Sequence, residues 1–166
     1  MKRFVVDTNV PIVANGRADG AGGGSPSVDC RQASIEFLTR LLSDGRVLLD
    51  LNGEIQAEYH RHLHPKGQPG VGDRFYLAVL QSAPERVERL ELPKAADGSF
   101  EDFPVDAALA SFDLSDRKFA ALARRAKVPV GVATDSDWVH AGAALRKNGV
   151  KIKFLCGCAP GIWFQT

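Results

Sequence analysis

Too few cysteines, too little net charge and no long hydrophobic run keep this 166-residue chain out of several large protein classes. Its three cysteines make no framework. Cys156 and Cys158 are one residue apart, which is neither a redox nor a zinc-knuckle spacing, and Cys30 is remote in sequence. Unpaired thiols are expected, and they suit a reducing compartment. No apolar stretch approaches the ~20 residues that span a bilayer. The run in MKRFVVDTNV stops at Asp7, too soon for a signal peptide. A soluble, cytoplasmic protein with no membrane partner is the expectation. A net charge of +1 supplies no general field for nucleic acid, so such affinity has to come from a local patch.

What is present is ordinary for a globular domain: 45% hydrophobic and 25% charged residues. The length suits one domain with a core of its own. Arg3 to Val6, Arg46 to Asp50, Val128 to Thr134 and Val150 to Leu155 read as strands, with a short extended piece over Val87 to Leu92. Apolar residues at helical spacing follow: Ile35, Leu38, Leu41 and Leu42; then Ile55, Tyr59 and Leu63, with Asn52 as the expected cap; then Phe119, Leu122, Ala123 and Ala126. Phe75 to Leu80 and Trp138 to Leu145 suggest two more helices, and Lys94 to Pro104 is polar and irregular. Strands alternating with helices predict an α/β fold, a central parallel sheet with helices on both faces. A single domain over 1–156 is expected, with 157–166 as a tail whose Trp163 and Phe164 pack against the body or a subunit. The glycine-rich segment 16–27 reads as a mobile loop inserted after the first strand.

Four acids stand out: Asp7 in VVDTN, Glu58 in EIQAEY, Asp116 in LSDRKF and Asp135 in ATDSDW. Taken one at a time, each has a plain explanation. Asp113 caps a helix with Asp116 in its first turn, Thr134 and Asp137 form a capping-box-like pair, and Glu54 and Glu58 lie on a solvated face. Helical phase argues otherwise. Asp116 lies three residues before Phe119 and seven before Ala123, and Glu58 lies three after Ile55, so both extend inward stripes. No Lys or Arg is an obvious partner on those stripes. Carboxylates gathered at the carboxyl ends of parallel strands repel. At an effective dielectric of about 20, a pair ~4 Å apart costs on the order of 4 kcal/mol. A hard divalent cation removes that cost, and metal-assisted phosphodiester cleavage uses such a cage.

VVDTNV, EIQAEY, LSDRKFAALA and ATDSDW, in this order, resemble the PIN-domain nucleases. The resemblance runs from Phe4 to Leu155. It implies a PIN-like fold and an acidic pocket for Mg²⁺ or Mn²⁺ formed by Asp7, Glu58, Asp116 and Asp135, with Asp137 as a further acid. Asn9 and Thr134 match the polar residues that support such a pocket. The implied activity is metal-dependent endoribonuclease hydrolysis of RNA, of a toxin type restrained by an antitoxin. RNA, an antitoxin protein and a second copy of the chain are the expected partners. Asp7, Asp116 and Asp135 are the expected ligands, and Glu58 either a ligand or the group orienting water. The glycine-rich insertion and the stretch from Pro65 to Phe112 are longer than in compact members.

Arg17, Arg61 and Arg117 lie near these acids in sequence and are candidates to hold substrate phosphates. The HRHLH run puts only His60 and His64 on one face and lacks a third ligand, so it reads as a solvated helix end. The glycine-rich loop lacks the Walker pattern and is no P-loop. Two rival readings are a catalytically inactive PIN-like module that binds RNA or protein, and an Asp-dependent phosphatase with Asp7 as nucleophile. The second lacks an aspartate two residues on, where Asn9 stands.

Overall fold

Short apolar strands that hand over to amphipathic segments leave the chain one economical arrangement, a parallel sheet sandwiched by helices. The computed structural model describes residues 2–17 and 24–165. The strands are β1 (Lys2–Val6), β2 (Gly45–Asp50), β3 (Val87–Leu90), β4 (Val130–Val132) and β5 (Ile152–Phe154). The helices are α1 (Asn9–Ala14), α2 (Val28–Asp44), α3 (Glu54–His62), α4 (Val71–Gln81), α5 (Arg117–Ala126) and α6 (Ser136–Lys147). All pairings are parallel, in the order β3-β2-β1-β4-β5. From β1 the chain works outward to β3, then crosses back to β4 and continues to β5. The order therefore reverses between β1 and β4, where an open α/β sheet leaves a crevice. Helix α2 lies across β1 and β2 with α1 and α4 beside it, and α5 covers β1, β2 and β4 from the other face. Val5, Leu48, Val130, Val132, Ala121 and Trp138 are among the fully buried side chains between them.

Two expected strands are shorter than the apolar runs. Val150 donates its N–H to Leu145 O and so finishes α6 instead of starting β5. Helix α1 is not among the expected helices. Its six residues, NVPIVA, are all buried and so show no polar face. It packs against α4 so closely that a Cβ on Gly72 would come 1.9 Å from Pro11 O. Asn15 locks the crossing: its side chain accepts from the N–H groups of Gly72 (2.8 Å) and Asp73 (3.2 Å) and donates to Asp73 Oδ1 (3.0 Å). The cap of α3 is Asp50 and not Asn52. The two Asp50 carboxylate oxygens accept from Glu54 N and Ile55 N at 2.9 Å each, a geometry opened by left-handed Gly53 (φ 79°).

The expectation of unpaired thiols fails for two of the three cysteines. Cys30 and Cys156 form a disulfide with Cα atoms 5.0 Å apart, and Cys158 is free and exposed. The 126-residue separation conceals that the tail folds back onto the first turn of α2. There Trp163 is buried, and Ser27 N–H donates to Trp163 O (2.7 Å) while Gln165 N–H donates to Ser25 O (2.9 Å). The tail thus packs on the body, as expected of Trp163. The glycine-rich loop is anchored at both ends, by this pairing and by Gly16 and Arg17 continuing the bonds of α1. Residues 18–23, the middle of the loop expected to be mobile, lie outside the described residues. No helix among the described residues is long and apolar enough to cross a membrane.

A cross-link that closes so long a loop restricts the unfolded chain strongly. Cys156→Ser should lower the unfolding free energy of the oxidised protein by about 2–4 kcal/mol in urea. Equal stability of wild type with and without reductant would show that the pair does not form a bond in solution.

Candidate metal centre

The reversal of strand order sets Asp7 and Asp135 side by side. Asp7 follows β1 directly, and its N–H donates to Gly131 O of β4 (3.0 Å). Asp135 follows β4 and caps α6, accepting from Asp137 N (3.0 Å). Asp116 ends a short 3-10 turn, Leu114–Asp116, that runs into α5. From these three directions the carboxylates of Asp7, Asp116 and Asp135 converge, with one oxygen of each within 4.8 Å of the others. A second group, Asp113, Asp116 and Asp137, meets the same distance and shares Asp116. Asp7 is buried, Asp116 and Asp135 are half-buried, and Asp113 and Asp137 are exposed.

Electrostatics in this crevice run against charge. Burial pushes the Asp7 carboxyl well above its ordinary range, and Asp116, Asp135 and Glu58 push it further; one bond from Asn9 N–H (3.3 Å) offsets part of this. Asp116 is pushed up to about 8, first by burial and then by Asp135, Asp113, Glu58 and Asp137. Asp113 behaves oppositely. Ser115 Oγ and N–H donate to its carboxylate at 2.6 and 2.7 Å and lower its pKa, the capping role expected for it.

Glu58 stands apart from both carboxylate groups. Lys118 Nζ binds its Oε1 at 2.8 Å, Thr8 Oγ1 donates to Oε2, and Arg61 lies 4.0 Å away. The expectation that no basic residue shares the inward stripes is therefore overturned. Lys118 stands four residues before Leu122 and is buried with it, held also by Ser115 O. Its spacing carried that signal. The neighbouring Tyr59 hydroxyl donates to Val6 O and fixes α3 against the end of β1.

Asn9 and Thr134 meet. Asn9 Oδ1 accepts from Thr134 N (2.6 Å) and Thr134 Oγ1 (3.1 Å), bracing the two strand ends. Thr134 consequently does not cap α6 with Asp137; Asp135 does. The three arginines divide. Arg117 stacks 4.8 Å over Phe103 and donates to the carbonyls of Leu109, Ala110 and Phe112, so it braces the preceding loop. Arg17 reaches His62 O (3.2 Å) and Asp73 (3.7 Å). Arg61 alone stays beside an acid of the site, with most of its side chain in solvent. His60 Nδ1 pairs with Tyr76 OH (2.8 Å), and among the described residues no histidine joins a ligating group.

An all-oxygen, carboxylate donor set is the kind that hard divalent cations take. Asn9 Nδ2 is buried without a hydrogen-bond partner, on the residue whose N–H contacts Asp7. Such a donor is satisfied by a water or anion at the same place. The residues present fit a Mg²⁺ or Mn²⁺ ion. Comparisons with protein-family models, with curated proteins and with solved structures found no match to this chain.

Two outcomes follow. A folded-state pKa near 8 against an unfolded value of 3.8 means that folded Asp116 binds more protons than the unfolded chain across that interval. Stability of the metal-free protein should then fall as pH rises from about 4 towards 8. Asp116→Asn should flatten the fall and raise the melting temperature at pH 8 in EDTA; a lower melting temperature there would contradict the repulsion. Lys118→Met leaves Glu58 buried without its partner and should cost about 3–5 kcal/mol in urea unfolding, largely recovered by a second change, Glu58→Gln.

Proposed function

We propose that the chain is a PIN-like, divalent-metal-dependent endoribonuclease that hydrolyses RNA phosphodiester bonds. The observation that carries this reading is the convergence of Asp7, Asp116 and Asp135 in the crevice between β1 and β4, with one oxygen of each carboxylate within 4.8 Å of the others. Burying like charges together is costly, and burial with the neighbouring acids raises the pKa of Asp7 and Asp116. The buried lysine of this site pairs with Glu58.

Asp7, Asp116 and Asp135 would hold the ion, and Asp113 and Asp137 border a second position through the shared Asp116. When bound, Mg²⁺ or Mn²⁺ supplies Lewis acidity and neutralises charge on a phosphodiester under in-line attack. The protein's own share is positioning. Asn9 and Thr134 hold the ends of β1 and β4 in register, and burial of Asp7 keeps its carboxylate from swinging away. Glu58, fixed by Lys118 and Thr8 at the edge of the crevice, would orient an attacking water from there. Arg61, exposed beside Glu58, is the arginine suited to a substrate phosphate.

A phosphatase using Asp7 as nucleophile has less support, since the residue two places on is Asn9, whose side chain is engaged by Thr134. A toxin role, restraint by an antitoxin, self-association and a cytoplasmic setting belong to the same proposal. The Cys30–Cys156 bond bears on the last of these, because persistent disulfides are rare in a reducing cytosol. In that setting both cysteines would be thiols.

The test is cleavage of a mixed-sequence single-stranded RNA by the purified chain with Mn²⁺ and with EDTA. Cleavage should need the metal. It should fall by about a hundredfold or more in Asp7→Ala, Asp116→Ala and Asp135→Ala, with circular dichroism unchanged. Asp113→Ala should cost far less, since its bonds cap a turn. Full activity in EDTA, or in Asp116→Ala, would rule the reading out.

A further inference from the structure

One cation is already built into the crevice. Lys118 stands in the first turn of α5, two residues after Asp116, and is only 7% exposed. Its ammonium reaches Glu58 Oε1 at 2.8 Å and Ser115 O, with the Phe119 ring centre 5.1 Å away. We propose that this ammonium occupies the place a second metal ion would take on the inner side of the crevice, and so keeps Glu58 out of the ligand set. The assignment rests on the metal-centre reading and deepens it, from which acids are present to which of them the ion meets.

Glu58 is near the centre without belonging to it. After burial, Glu58 is one of the acids that raise the Asp7 carboxyl, and it raises Asp116 as well. Thr8, next to Asp7, donates to Glu58 Oε2. Yet Glu58 joins neither group of converging carboxylates. Its partner explains why. Each Glu58 oxygen accepts a hydrogen bond and keeps a lone pair for water, while the charge that would draw in a metal ion is balanced by Lys118. The lysine is held from its other side too. Ser115 O takes another of its N–H groups, and Ser115 N–H and Oγ donate to Asp113, so the turn that carries Asp116 is tied to Glu58 through one ammonium. An ammonium on a buried stem does not dissociate, so this position is filled whatever the metal concentration. Arg61, 4.0 Å from Glu58 with 63% of its side chain in solvent, is screened by water and does not replace it.

A pair that only held the fold would leave metal affinity untouched when broken. An ammonium standing in for an ion behaves differently: without it Glu58 faces Asp7 with a free charge, and the crevice attracts a divalent cation more strongly. Calorimetric titration of Mn²⁺ into the full chain reads this out. Lys118→Met should bind Mn²⁺ about tenfold tighter than wild type, because one more carboxylate acts on the ion. Lys118→Met combined with Glu58→Gln removes both charges of the pair and should return the affinity to within about twofold of wild type. No gain in Lys118→Met would overturn the proposal. So would a loss of about tenfold or more in the double variant, which would make Glu58 a ligand in wild type; that arm holds even if Lys118→Met alone does not fold. Absence of saturable wild-type binding removes the metal centre and this proposal together, whereas wild-type binding without the gain removes the proposal alone.

Discussion

Like charges gathered in a partly dry crevice set the terms for this molecule. The parallel sheet reverses its strand order between β1 and β4, so whatever follows those strands is forced to one place. Here both are followed by aspartates, and α5 brings a third from across the sheet. The fold tolerates the repulsion because each carboxylate is attached to a rigid start: a bond from Asp7 N–H to β4, a helix cap at Asp135, and a 3-10 turn leading into α5 at Asp116. On the proposed reading, a cation common to all three carboxylates would turn their mutual penalty into attraction, and stability and function would draw on one arrangement.

Lys118 prevents the same problem from becoming worse. Without it Glu58 would be a buried, uncompensated carboxylate next to Asp7. With it, Glu58 is a fixed hydrogen-bonded group at the edge of the crevice. The arginine one residue earlier performs a different task. Arg117 ties the carbonyls of Leu109, Ala110 and Phe112 together and stacks on Phe103, which stiffens the approach to Asp116. Adjacent basic residues on one helix therefore serve opposite sides of the site, one inward and one outward.

Much of this was legible in the sequence, and the failures have physical causes. Strand-helix alternation gave the sheet and its helices, because short apolar runs and amphipathic stripes are each self-contained signals. The helical phase of Asp116 and Glu58 placed both at the inward side. Helix α1 was hidden because a segment buried all round has no periodicity to read. Lys118 lies on the stripe of Leu122, but its partner is sixty residues away in EIQAEY, so the pairing has no local signal. Arg17 and Arg117 are near the acids in sequence, yet carbonyl oxygens claim both, His62 O at the end of α3 for Arg17 and those of the preceding turn for Arg117. The Cys30–Cys156 bond depends on the tail returning to α2, a tertiary event that no spacing rule contains.

The central claim is that Asp7, Asp116 and Asp135 jointly hold a divalent cation, and counting bound Mn²⁺ tests it most directly. Free Mn²⁺ has a sharp paramagnetic resonance signal that is lost on binding, so a titration gives stoichiometry and affinity without any substrate. The account predicts saturable binding to wild type, displaced by excess Mg²⁺, and its loss in Asp116→Asn, the residue common to both carboxylate groups. A linear signal with no saturable component in wild type, or undiminished binding in Asp116→Asn, would contradict it.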